Sequence, residues 1–403
     1  MKKILTIIGF LIIVIVIAIA GLLIWSYKEE QENKRIDAEA VTLKEDLTIE
    51  FGEKAKVSDF IENLNGTLLN DYEIDTERLG DISVSFDFIN IKNKRRTATF
   101  NIKTIDVTAP KIFSGGSYTV QKGYTKNLTD VLLSGDDIDD NPTREIVGEY
   151  DFNTVGSYKL KYVVTDSSGN STNRDFVLNV IEPQPAAPTT PKEPNYFDDI
   201  LDNYKTEKTQ IGIDVSKWQG EIDWEKVKNA GVEFAIIRMG YQTDYDGDYV
   251  IDPYFVANIE GAKAVDLPVG IYFYSYAKNI EQAKEQAEWV KENLKDYEID
   301  LPIAFDWESW NSFNTTGMSF YTINKAANTF LNTLTDSGYK GMLYGSKTYL
   351  EKIWYPTSHE TWLAHYISQT TYDGPYILWQ MCDTGRIDGI NGNVDIDIMY
   401  LDV

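Results

Sequence analysis

Phe305-Asp306-Trp307-Glu308 has the residue types and spacing that acid–base chemistry needs. It follows the apolar run Leu301-Pro302-Ile303-Ala304, which reads as a buried strand with carboxylates at its exit. Side chains two apart on a strand point the same way, with α-carbons roughly 6.6 Å apart at about 3.3 Å per residue. Asp306 and Glu308 would then crowd into one cavity. Carboxylates held together push their pKa values apart, so one can keep a proton while the other is ionised. Glycosidic bond cleavage uses such a pair, one a proton donor and the other a charged stabiliser. A strand end carrying two solvated acids would have the same four residues, so the case turns on what else converges there.

From residue 209 onward, apolar strands alternate with amphipathic segments. Strands are expected at 211–215, 234–239, 269–274, 303–306, 341–344, 361–364, 376–380 and 394–399, with helical runs including 224–229, 280–294 and 320–337. This alternation implies a compact (β/α) barrel with some helices shortened or missing. Functional side chains in such barrels lie at the C-terminal ends of strands. Asp214 falls near the end of the first strand, Asp306 and Glu308 at the end of the fourth, and Asp395 and Asp397 on the last. Closing the barrel would bring these acids to one mouth. Trp218, Tyr241, Tyr272, Tyr274, Tyr276, Trp307, Tyr344, Trp362, Tyr366 and Trp379 also fall at or near strand ends. Aromatic rings stack on the C–H faces of sugars, and tyrosine hydroxyls and Gln380 can bond their polar groups. Ordinary core packing accounts for some of the same rings.

The rest of the composition narrows the chemistry. A net charge of -25 over 403 residues excludes nucleic acid as a partner. A lone cysteine, Cys382, allows no intrachain disulfide, and two histidines, His359 and His365, supply no metal or His-centred triad. No metal and no cofactor are expected. Asp244-Tyr245-Asp246-Gly247-Asp248 has its glycine at the fourth position of the run, where a calcium loop of the EF-hand type needs it at about the sixth, so it is read as an exposed loop rimming the cleft.

Met1-Lys2-Lys3 precedes an apolar run ending near Trp25, long enough to span a bilayer with the bulk of the chain outside. The reading is a transmembrane anchor over 1–27, the competing one a signal peptide cleaved after Ala18-Ile19-Ala20. A charged stalk is expected at 28–37. Short alternating segments follow, and they repeat: Leu79-Gly80-Asp81-Ile82 aligns with Val155-Gly156-Ser157-Tyr158, and Lys92-Asn93-Lys94 with Ser168-Gly169-Asn170, at one constant offset. Two all-β modules in tandem, 38–108 and 109–183, are the simplest account. Asp106-Val107-Thr108-Ala109-Pro110 and the turn Asp166-Ser167-Ser168-Gly169-Asn170 make the second resemble bacterial immunoglobulin-like surface modules. With no aromatic cluster or charged pocket, both are read as spacers. A proline-rich linker over 184–208 leads to the last domain, 209–403.

Within that domain, Ile211-Gly212-Ile213-Asp214-Val215-Ser216-Lys217-Trp218-Gln219-Gly220 with Ile222-Asp223-Trp224 resembles the opening of the family-25 glycoside hydrolases, muramidases of bacterial and phage wall lysis. Gly270-Ile271-Tyr272-Phe273-Tyr274-Ser275-Tyr276, Asp306-Trp307-Glu308, Trp379-Gln380 and Gly392-Asn393-Val394-Asp395 match later motifs in order. The resemblance implies Glu308 as general acid and Asp306 as stabiliser of developing charge or orienter of the substrate acetamido group, with Asp214 and Asp395 holding the sugar and tuning the pair. It implies substrate contacts from Trp218, Tyr241, Tyr272, Tyr274, Tyr344, Trp362, Trp379, Gln380 and Asp397, where relatives often carry asparagine. The reaction implied is cleavage of the β-1,4 bond from N-acetylmuramic acid to N-acetylglucosamine with net retention. Peptidoglycan strands and the membrane are the expected partners, and tethering suits opening the wall for a secretion or transfer apparatus. A silent wall-binding protein and a glycosidase for a related N-acetylated glycan such as chitin are the alternatives.

Overall fold

The computed structural model describes residues 2–185 and 192–401. Residues 186–191, the centre of the expected proline-rich linker, lie outside the described residues. The chain divides into two compact units, Met1–Val107 and Thr108–Val403.

The first unit opens with helix α1 (Lys2–Ala38). Its portion Ile8–Ala38 is long and apolar enough to cross a membrane, with a mean hydropathy of 3.1 in its most apolar stretch. A signal helix passes the same test. The charged segment 28–37 continues the helix. Its glutamates, lysines and arginine favour that conformation, and Lys34 pairs with Glu30 one turn earlier at 2.7 Å. Asp37 fixes the helix end by accepting from Arg96 at 2.7 Å and Asn90 at 2.8 Å.

Strands β1 (Val41–Leu43), β2 (Thr48–Glu50), β3 (Ile61–Leu64), β4 (Gly66–Leu68), β5 (Gly80–Asn90) and β6 (Arg95–Ile105) follow. They form a pair, β1-β3, and a four-stranded sheet ordered β2-β6-β5-β4. Alternate residues of the long hairpin, among them Val84, Phe86, Phe88, Phe100 and Ile102, build the core.

The second unit begins with β7 (Lys111–Ile112), β8 (Ser117–Gln121), helix α2 (Leu128–Val131), β9 (Ser134–Gly135), β10 (Thr143–Val147), β11 (Gly156–Thr165) and β12 (Ser171–Ile181). These give a pair, β7-β9, and a sheet ordered β10-β11-β12-β8. The β11-β12 hairpin repeats β5-β6 at the offset seen in the sequence. Even the turn matches: Asn93 (φ 58°) and Gly169 (φ 93°) are left-handed at equivalent places.

Next come β13 (Asn195–Tyr196), α3 (Phe197–Tyr204), β14 (Thr209–Val215), α4 (Trp224–Asn229), β15 (Ala235–Gln242), β16 (Tyr249–Ile251), α5 (Phe255–Ala264), β17 (Val269–Tyr274), α6 (Ile280–Leu294) and β18 (Ile303–Asp306). The chain continues through a 3-10 helix (Ser309–Thr315), α7 (Phe320–Thr335), β19 (Gly341–Ser346), α8 (Lys347–Lys352), β20 (Glu360–Ala364), β21 (Leu378–Arg386) and β22 (Val394–Tyr400). Strands β14, β15, β17, β18, β19, β20 and β21 are parallel neighbours in that order. The expectation of a (β/α) barrel needs correction here. Strand β22 is antiparallel to both β14 and β21, so the sheet closes through a reversed strand. The connection 387–393 is too short for the crossover of a dozen or more residues that a parallel strand would need.

Side chains alternate across this closed sheet. Ile213, Ile237, Ile271, Phe305, Leu343, Leu363, Trp379 and Ile398 point outward into the core shared with the helices. Ile236, Tyr272, Ala304, Met342, Tyr344, Trp362 and Leu378 point inward and pack on one another.

Candidate active site

The period of two decides which residues share the barrel interior. Asp214, Arg238, Tyr274, Asp306, Gln380, Asp395 and Asp397 are in step with the inward set, near the C-terminal ends of the parallel strands. The reversed strand brings its own acids in: Asp395 sits opposite Asp214, and Asp397 opposite both Gly212 and Gln380. Asp306 pairs in register with Tyr274.

A hydrogen-bond chain ties one wall together. The Asp214 carboxylate accepts from Gln380 Nε2 at 2.8 Å, and Gln380 Oε1 accepts from the hydroxyls of Tyr344 and Tyr366, each at 2.9 Å. Asp397 Oδ1 accepts from the Trp362 indole at 2.8 Å. Its other oxygen is buried and shares a hydrogen bond with the Asp214 carboxyl, which holds the proton. Oδ1 of Asp306 is buried too, without a donor.

Burial dominates the electrostatics. Desolvation, then the charge of Asp397, holds the Asp214 carboxyl well above the usual carboxylate range. Desolvation and then Glu308 do the same to Asp306. Glu308 is the most exposed acid of the set, yet enough protein surrounds its carboxyl for desolvation to raise its pKa, offset by a hydrogen bond from Asp306. Asp395 is pushed up to about 9 by desolvation and Asp214, and Asp397 to about 8, chiefly by desolvation. The same acids raise Tyr272, Tyr274, Tyr344 and Tyr366 after desolvation, which puts these hydroxyls around one acidic cavity. Asp395 and Asp397 thereby keep protons at neutral pH, and Glu308 is shifted in the direction that a general acid requires.

Trp218 is 76% exposed on the loop after β14 and is joined to Tyr241 by Lys217, whose Nζ lies 5.1 Å and 4.6 Å from the two ring centres. The Arg238 guanidinium lies 5.2 Å from the Tyr241 ring centre, which ties this pair to the buried cation of the cavity. Trp379 departs from the expected set. It lies outward on β21, its indole donating to the His365 carbonyl at 2.8 Å and its ring edge-on to Tyr204. The alternation that turns Gln380 inward turns Trp379 away. The loop at 244–248 is occupied by its own contacts, Lys278 pairing with Asp246.

One inward residue escaped the sequence reading. Arg238 is a buried cation whose Nε donates to Asp252 at 2.8 Å and whose charge acts on Asp306 and Tyr272. A lone charge within Ile236-Ile237-Arg238-Met239 was the available signal. A surface cavity of about 440 Å³ is lined by Lys192, Tyr196, Tyr204, Tyr366 and Asp383; it touches the hydrogen-bonded wall at Tyr366 and none of the five acids.

Residues 213–390 match the family model for glycosyl hydrolases family 25. An uncharacterized protein of Escherichia coli, YegX, is 28% identical over 192 residues, covering 46% of this chain and 68% of that protein. An autolytic lysozyme of Clostridium acetobutylicum is 28% identical over 189 residues, 46% of this chain and 54% of its own. Among solved structures, the modular autolysin LytC of Streptococcus pneumoniae is similar at 25% identity and a TM-score of 0.43, over 60% of this chain and 56% of that one. The chain thus spans only part of the length of these relatives. Residues 213–390 are similar to the family-25 glycoside hydrolases.

Proposed function

We propose that the chain is a membrane-anchored muramidase acting outside the cytoplasm on the β-1,4 bond from N-acetylmuramic acid to N-acetylglucosamine. The observation that carries this reading is the set of inward carboxyls, Asp214, Asp306, Asp395 and Asp397 with Glu308 at the rim, in the part of the chain that is similar to family 25. Helix α1 is the anchor, and the two strand-rich segments are immunoglobulin-like modules carrying the enzyme into the wall. An apparatus for secretion or transfer that needs the wall opened is the kind of partner such tethering suits.

Glu308, the acid nearest solvent, donates its proton to the glycosidic oxygen as the bond to the anomeric carbon breaks. Asp306 and Glu308 share a hydrogen bond whose proton rests on Asp306 in the free site, and it passes to Glu308 when the acetamido N–H of the substrate reaches Asp306 and favours its ionised form. Carboxyls in such contact leave no room for the water that an inverting pair holds across about 6.5–9.5 Å. They are also closer than the roughly 5–5.5 Å of a pair that straddles the sugar with one member as nucleophile. This supports retention through the substrate's own acetamido oxygen, with the unpartnered Oδ1 of Asp306 accepting the acetamido N–H and stabilising the charge. Asp214, held by Gln380, binds the same sugar from the opposite wall.

The test is Glu308→Gln in the full-length chain. Turnover of purified peptidoglycan should fall at least about a thousandfold, as for loss of a positioned general acid, while pelleting with peptidoglycan and the melting curve stay unchanged. A variant that digests the wall normally removes Glu308 from its role. A wild-type chain that pellets but releases nothing supports the silent binder instead.

A further inference from the structure

We propose that the strand-rich segment spanning β7 to β12 is a fixed part of the catalytic unit, and that Asn314 is the positioning residue through which it sets Glu308. This rests on Glu308 being the proton donor. Glu308 is the N-cap of the 3-10 helix Ser309–Thr315, and Asn314 lies near the other end of that helix. Helices of this kind have poor internal hydrogen bonds and rarely run beyond one turn unaided. Here the support comes from a segment some 180 residues earlier in the chain.

Asn314 Nδ2 donates to the carbonyls of Thr129 at 2.6 Å and Leu132 at 2.9 Å, and Oδ1 accepts from the Ser134 N–H at 3.0 Å. Among the described residues, its side chain bonds nothing in its own domain. The following turn is clamped too. Asp140 Oδ1 accepts from the Ser319 N–H at 2.6 Å and from the Thr322 hydroxyl at 2.7 Å, at the start of α7. The Phe320 and Tyr321 N–H groups donate to the carbonyls of Asp136 and Asp137, each at 2.8 Å.

Between the two clamps the packing is close. A Cβ on Gly135 would lie 2.6 Å from the Phe320 ring and 2.8 Å from that of Phe313, so only glycine fits there. Phe313 stacks on Phe320 at 5.3 Å and meets Trp307 edge-on at 6.0 Å, and Trp310 meets Trp307 at 4.7 Å. Trp307 stands between Asp306 and Glu308. A continuous run of contacts therefore connects Asn314 to the backbone that carries both acids. A spacer would need none of it.

The experiment measures kcat, KM and the pH profile of peptidoglycan hydrolysis, with melting curves, in full-length variants. Asn314→Ala should lower kcat about tenfold or more with KM unchanged, since a displacement of about 1 Å at a catalytic group can cost up to about 100-fold. The alkaline limb of its pH profile should also move, because Glu308 shifts against Asp306. Asp140→Ala should act the same way, and Asp140→Asn, whose amide oxygen still accepts both bonds, should restore kcat. If Asn314→Ala does not fold, the Asp140 pair decides. Wild-type kcat and pH profile in folded Asn314→Ala, or in Asp140→Ala, overturns the proposal. Glu308→Gln, run alongside, separates the readings. A fully active Glu308→Gln removes the donor assignment itself, whereas an inactive one beside a fully active Asn314→Ala overturns only the positioning.

Discussion

Asp397 is the residue whose chemistry most distinguishes this cavity. It is fully buried, and one of its oxygens shares a hydrogen bond with the Asp214 carboxyl. Two buried carboxyls in that relation are stable only with a proton between them. Folding lifts the pKa of Asp397 from the ordinary 3.8 to about 8. Between those values the native state holds a proton that the unfolded chain releases. The resulting stability is fully present below about pH 4 and is lost as pH rises towards about 8. Asp397→Asn keeps an acceptor for the Trp362 indole and turns an N–H towards Asp214. We expect it to flatten the fall in melting temperature between pH 4 and 8, and to raise the melting temperature at pH 8. Thermal melts across that range check this. Superimposable curves for variant and wild type would mean that Asp397 is not holding a proton.

At the scale of elements, the period of two does most of the positioning. Gly212 shows how tight the arrangement is: a Cβ there would lie 2.5 Å from the Phe234 ring that plugs the barrel floor. Gly212→Val should cost about 1–3 kcal/mol through overpacking, read as a lower melting midpoint, and a variant as stable as wild type would mean that the floor can yield. This periodicity is why much of the site was legible beforehand. Apolar runs ending in Asp214 and Asp306 identify their strands, and 269–274 and 303–306 coincide with β17 and β18. What the runs do not carry is facing. Nothing local to Trp379-Gln380 says which of the two turns inward; strand pairing with β20 and β22 decides it. The pairing of Arg238 with Asp252, and the bonds of Asn314, join residues distant in sequence and leave no spacing signal. The reversal of β22 was not readable either: with a strand expected to end at 380, residues 381–393 left room for a crossover, and only the extension of β21 to Arg386 shortens the connection.

For the molecule as a whole, an apolar helix and two related strand-rich segments precede the region that matches the hydrolase family, and the proposed reading makes that helix the anchor of an enzyme. The docking of β7 to β12 on the segment after Glu308 makes the second of those segments part of the enzyme rather than of the tether. Burial, more than any neighbouring charge, holds most carboxyls of the cluster towards their protonated form, and Arg238 is the cation that opposes this at Asp306. That state suits proton donation to a glycosidic oxygen. The central claim is that this donation breaks the bond on the muramic acid side. Its most direct test is to digest purified peptidoglycan with the full-length protein, reduce the new ends and identify the terminal sugar. Reduced N-acetylmuramic acid is expected; reduced N-acetylglucosamine, or no new ends, overturns the muramidase reading.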